Sequence, residues 1–95
     1  MNLEEIHNQE KKVSAKPIFK GQEGTTTAIQ LQRNGMLNKH ITKTPALLIC
    51  ISGYVSYEDE NEVEINLETG DFIEIKPHIQ HWLSAGVKSQ LLLCK

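Results

Sequence analysis

The stretch GDFIEIKPHIQHW, residues 70–82, decides the reading of this chain. Thr69, Gly70 and Asp71 make a turn signal. Residues 72–76 alternate apolar and polar side chains and predict a short strand. Pro77 ends it, residues 77–80 form a loop, and His81 starts the next strand.

The same texture extends in both directions. Residues 46–51, ALLICI, are continuously apolar, which predicts a strand covered on both faces. Ser52 and Gly53 interrupt it, and a strand resumes over 54–58, with Val55 and Tyr57 on one side. Residues 59–61 read as a polar hairpin tip. Residues 62–67 then alternate, with Val63, Ile65 and Leu67 inward. Ala85 and Gly86 turn the chain, and residues 90–94 form the last strand. Towards the N-terminus, residues 25–32 read as a strand with Ala28, and Ile29 or Leu31, turned inward. They are followed by a turn at Arg33, Asn34 and Gly35. Pro17 confines a strand over 13–20 to a sheet edge, because proline has no N–H to give to a ladder. Seven or eight short strands with a turn every 8 to 12 residues predict an all-β sandwich or barrel.

Ninety-five residues make one small domain, expected to bury roughly 64% of the surface of its unfolded chain. Residues 13–95 are assigned to that domain and residues 1–12 to an N-terminal arm. In the arm, Asn2 is placed to cap a short helix with Glu4 and Glu5 in its first turn and Lys11 and Lys12 in its last. Only Leu3 and Ile6 could pack, so that helix is marginal; the other readings are a frayed terminus and a partner-docking arm.

Composition excludes several classes. A net charge of −2 offers no basic excess for phosphates, so nucleic acid is not an expected partner. No apolar run is long enough to span a membrane, and the N-terminus lacks a signal-peptide pattern, so a cytoplasmic location is expected. Cys50 and Cys94 are two cysteines only, read as reduced apolar residues rather than a disulfide framework.

Residues 35–95 resemble a small cupin. The second cupin motif, Gly-Asp followed by a strand, a proline turn and a histidine, is carried by Gly70, Asp71, Pro77 and His81. The first motif is met at its ends, by His40 and Gly53. Thr42 stands where the resemblance implies a second histidine, and Ala46 where it implies a glutamate. Lys76, Pro77 and His78 replace the usual Pro-Pro-Gly-like turn, so a histidine occupies a common glycine position. The resemblance implies a double-stranded β-helix, that is, a jelly-roll barrel, and a partner in a second copy of the chain, through N-terminal strands and an outer sheet face.

It also implies a metal site that this chain carries only in part. Metal-binding cupins carry three histidines and a glutamate, and His40 and His81 are two of those four. Residues i and i+2 of a strand point the same way, so a His-x-His pair can hold one ion. Here Thr42 offers only a hydroxyl, a poor ligand for a transition metal, and Ala46 offers nothing. Three protein ligands are usual for catalytic zinc. The expectation is no cofactor, or a weakly bound divalent metal at His40 and His81. The proposed pocket comprises His40, Thr42, Ala46, Leu48 and His81, with an apolar floor towards Cys50. Cys50 lies about 13 Å along the strand from position 46, too far to join as a ligand. His78 is read as an exposed turn residue and Trp82 as facing away from His81, into a core or a dimer interface. The acidic group Glu58, Asp59, Glu60, Glu62 and Glu64 is read as a solvated hairpin. Carboxylates reach the pocket only if Glu58 or Glu74 turns inward, so acid–base work would fall to the histidines.

Three functions follow as expectations. The first is a non-catalytic cupin-domain protein that binds a small polar or carbohydrate-like molecule. The second is a metal-dependent cupin enzyme of the dioxygenase, isomerase or decarboxylase type, using His40 and His81. The third is a structural or interaction module whose barrel is filled by Leu48, Leu83 and their neighbours. A fold hosts many activities, so the site must decide among them.

Overall fold

The computed structural model describes all of residues 1–95. Its nine strands are β1 (Val13–Lys20), β2 (Thr25–Leu31), β3 (Met36–His40), β4 (Ala46–Ser52), β5 (Tyr54–Asp59), β6 (Glu64–Glu68), β7 (Phe72–Ile75), β8 (His81–Ala85) and β9 (Ser89–Cys94). They form two antiparallel sheets facing each other, in the orders β1-β2-β9-β4-β7 and β3-β8-β5-β6. This is the jelly-roll barrel expected from the spacing of strands and turns.

Alternation along the strands builds the interior. Ala46, Leu48 and Cys50 of β4 point inward, as do Val55 and Tyr57 of β5 and Leu83 and Ala85 of β8. They join Ile29, Leu31, Leu67, Ile75 and Leu91 in one cluster of 12 buried residues. Pro17 sits on the outer edge strand β1, and the ladder to β2 slips there, between Pro17 and Phe19. The missing N–H of proline is harmless on an edge and would not be at a centre.

Four expectations need correction. First, nine strands form where seven or eight were expected: β3 is a strand although MLNKH has neither alternation nor an apolar run, and pairing with β8 supplies its order. Second, β4 is covered on one face only: Leu47 and Ile51 on its outer face are 36% and 37% exposed. Third, Val63 and Ile65 are exposed at 39% and 36%, because β6 is an edge and nothing flanks it on one side. Fourth, residues 1–12 form turns and no helix. Asn2 Oδ1 does accept from the Glu4 amide, as a cap would, but the amides that follow bond three residues back, Glu5 to Asn2 and His7 to Glu4, and the turns do not continue into a helix.

The strand ends are set by backbone that glycine favours. Gly53, between β4 and β5, has φ +102°, and a Cβ there would collide with Ser89 Oγ. Ser89 donates to the Val87 carbonyl and accepts from the Tyr54 amide, so it ties β9 to the start of β5. No helix is long and apolar enough to cross a membrane.

Candidate functional site

β3 and β8 bring the two motif histidines together. His40 and His81 are register partners, and their ring centroids lie 4.1 Å apart at 55°. His40 is half-buried and His81 is 2% exposed. Each ring makes its one hydrogen bond within the chain through Nδ1, to the carbonyl two residues before it: His40 to Asn38 at 2.9 Å and His81 to Ile79 at 3.1 Å. A carbonyl can only accept, so Nδ1 carries the proton in both rings. In the neutral ring Nε2 is then a lone-pair acceptor.

The wall behind His81 is Tyr57, which the sequence placed only on the same side of its strand as Val55. Its ring stacks on His81 at 5.8 Å and 25°. Its hydroxyl donates to Asp59 Oδ2 at 3.0 Å. Asp59 is 9% exposed and faces His81 across β5 and β8, which corrects its reading as part of a solvated tip. Its other oxygen accepts from the amides of Asn61 and Val63, at 2.9 and 3.3 Å. The signal was present: inward positions 55 and 57 continue to 59 by strand alternation.

This arrangement shifts two groups. Burial pushes the Tyr57 phenol well above the usual tyrosine range, and the bond and charge of Asp59 push it further. The phenol stays protonated and donating. Burial lowers the His81 pKa, His40 and Lys95 lower it further, and the Ile79 carbonyl and Asp59 act in opposition. A neutral His81 is therefore favoured.

The remaining predicted residues lie around this pair. Thr42 is buried, but its hydroxyl donates to the Thr44 carbonyl at 2.7 Å. Ala46, Leu48 and Cys50 belong to the central core. His78 is exposed in its turn, its N–H bonded to the Thr42 carbonyl. It has φ +65°, which is why glycine suits that position. Trp82 faces away from His81, as expected, but lies on the outer face of its sheet rather than in a core. Its Nε1 donates to Glu58 at 2.6 Å, and the Lys39 ammonium lies 5.1 Å from the ring centroid. Glu58 is therefore turned outward, whereas Glu74, the register partner of Leu47, lines the cavity beside Tyr57 and Asp59.

The donor set does not fit a metal centre of three or four protein ligands. No group of three or more His, Cys, Asp or Glu side chains is placed to hold an ion. Asp59 is near, but its oxygens already accept three bonds.

Next to Tyr57 and Asp59, between the free edges of β6 and β7, lies a cavity of ≈ 190 Å³ that neither histidine lines. Tyr57 and Asp59 form the wall it shares with His81. Val63, Ile65, Ile73 and Ile79 give it apolar lining, and Asn61, Glu74 and Lys76 add polar and charged groups. A space of about 150 Å³ admits a benzene-sized molecule.

No protein-family model matches the sequence, and no curated protein matches it. Solved structures do. A cupin superfamily protein from Desulfitobacterium hafniense superposes with a TM-score of 0.86 at 12% identity, over 98% of this chain and 84% of that one. A cupin-2 domain containing protein from Shewanella frigidimarina gives 0.81 at 15% identity, over 100% and 92%. KdgF from a Halomonas species gives 0.79 at 17% identity, over 93% and 82%. The chain has the cupin fold, and identities this low carry the fold alone.

Proposed function

From this fold as premise, we propose that the chain is a small-molecule-binding cupin-domain protein without catalysis of its own, and that it binds a hydroxylated molecule at His40 and His81. One observation carries the reading. Both rings spend their Nδ1–H on a backbone carbonyl, which leaves Nε2 as the acceptor of each of two adjacent rings. Two adjacent acceptors suit a partner with two donors, as neighbouring hydroxyls of a sugar or polyol provide. The partly apolar cavity beside Tyr57 gives room for the body of the ligand. The missing third metal ligand and the occupied oxygens of Asp59 argue against a catalytic ion. The partly exposed outer face of β4, with Leu47 and Ile51, supports pairing with a second copy.

The test is an NMR titration of the full chain with millimolar D-glucose, D-xylose, D-glucuronate and catechol. The reading expects saturable shifts at His40, Tyr57 and His81 with at least one of them, lost in His40→Ala. Shifts confined to other surfaces would refute it. Stability should not differ grossly between the proteins compared, since His40 is only half-buried.

A further inference from the structure

We propose that residues 1–12 are a strap over the outer face of β2 and β9, latched by His7 and released when His7 takes a proton. The strap is independent of the histidine pair and of the ligand proposed there.

Outward-facing residues of a sheet normally meet water. Gln30 of β2 and Gln90 of β9 are outward register partners, yet they are 0% and 7% exposed. The strap covers them. Gln9 Nε2 donates to Gln30 Oε1 at 3.3 Å, and Gln90 Nε2 donates to the same oxygen at 2.8 Å. Gln32 Nε2 donates to the Gln9 carbonyl at 2.8 Å. His7 is 5% exposed, and its Nδ1 bonds Ser14 Oγ on β1 at 2.7 Å. At the far end, Glu4 bonds Lys88 at 2.7 Å, and both are solvent-accessible. Apolar packing adds little, since Leu3 and Ile6 are only half-buried.

The closed strap is therefore held by polar bonds and is incompletely satisfied. His7 Nε2, Gln30 Nε2 and Gln90 Oε1 are buried with no partner in the chain. Such groups weaken the closed state, which makes it responsive to one added charge.

The surroundings of His7 set the sign. Lys16 of β1 is a neighbouring cation, and β2 and β9 present only the uncharged Gln30 and Gln90. On the strap, Glu4 and Glu5 line the same surface recess as His7; Glu4 is committed to Lys88, and neither bonds the imidazole. Burial and Lys16 lower the His7 pKa from 6.5. The closed form thus resists the proton that the open form accepts, so opening is favoured as pH falls below the ordinary histidine value.

Hydrogen exchange of the full chain tests this. The reporters are the amides of Glu5, His7 and Lys11, which bond carbonyls within the strap. Their protection factors, corrected for intrinsic exchange, should be constant above about pH 7 and fall below it, by at most about tenfold per pH unit, the slope of one proton. The Cε1–H resonance of His7 in the unmodified protein should titrate over the same range. His7→Gln should keep the strap closed throughout. Glu4→Gln should lower protection at every pH without moving the midpoint. Constant protection in the unmodified protein, or the same fall in His7→Gln, overturns the proposal.

Discussion

His40 of β3 and His81 of β8 lie side by side, 4.1 Å between ring centroids, and each is held by the carbonyl two residues earlier in its own chain segment. Neither ring is hydrogen-bonded to the other. The pair is therefore pre-set before any ligand arrives, and little ordering remains to oppose binding. Backbone bonds to Nδ1 also orient imidazoles that ligate metals, so the number of ligands has to discriminate between the two uses. That number is two here, with no third carboxylate, thiolate or imidazole in place.

Metal titration follows directly. A chelator should leave the melting temperature unchanged, and millimolar Zn²⁺, Ni²⁺ or Mn²⁺ should raise it by no more than a few degrees. An ion present at 100 times its dissociation constant would add about 2.7 kcal/mol, or roughly 10 °C or more in a domain this size. A shift that large, abolished by His40→Ala and by His81→Ala, would restore the metalloenzyme.

Tyr57 and Asp59 form a buried bonded pair, and breaking it should cost stability out of proportion to the atoms removed. Tyr57→Phe deletes one oxygen and leaves Asp59 Oδ2 without its donor. The expected loss is about 1–3 kcal/mol in urea unfolding. Asp59→Ala should cost more, since it strands the phenol and two amides of the following turn. The double variant should lose less than the sum of the two. Additive losses would mean that the bond contributes nothing.

Acid should weaken the fold through His81. Its pKa in the folded chain is lowered from 6.5, so the unfolded chain binds the proton more readily. Stability should then be level above about pH 7 and decline as pH falls, with a slope of at most about 1.4 kcal/mol per pH unit for one proton. His81→Gln should flatten the profile by that share. His7 adds a separate acid response in the same direction, which His7→Gln removes. Tyr57 acts at the other limit. Its pKa is raised, so its share of stability is present below about pH 10 and lost as pH rises beyond it. A profile unchanged by His81→Gln would show that its burial does not survive in solution.

The barrel was legible in the sequence where periodicity and turn chemistry agreed, as over residues 62–82. β3 was not, because MLNKH carries no period and owes its order to a partner far along the chain. The His40–His81 pair was legible through the family spacing of two motifs. Its supporting wall was harder to see. Asp59 stands among the acidic residues 58–64, and only strand alternation separates its inward carboxylate from its outward neighbours. Composition suggested a solvated tip, whereas the pleat of β5 sends Asp59 inside. The strap failed for a further reason. A short polar segment has little intrinsic order, and what holds it are side chains of β1 and β2 that the sequence does not mark as neighbours.

Two glycines of positive φ should respond differently to alanine. Gly53 and Gly70 have φ +102° and +91°, so a side chain is strained at either. That shared backbone term is about 1–2 kcal/mol. At Gly70 nothing lies within 4 Å of the added carbon, so Gly70→Ala should cost the backbone term alone. At Gly53 the carbon would meet the Ser89 side chain and lie 2.8 Å from the Lys88 carbonyl. Ser89 cannot yield without releasing the Tyr54 amide and the Val87 carbonyl. Overpacking adds about 1–3 kcal/mol, and the lost bonds add to it. Gly53→Ala should therefore unfold at clearly lower urea than Gly70→Ala. Ser89→Ala in the Gly53→Ala background should recover little, because the carbonyl remains in the way. Equal losses at the two positions would show that the join of β5 to β9 is looser than its bonds imply.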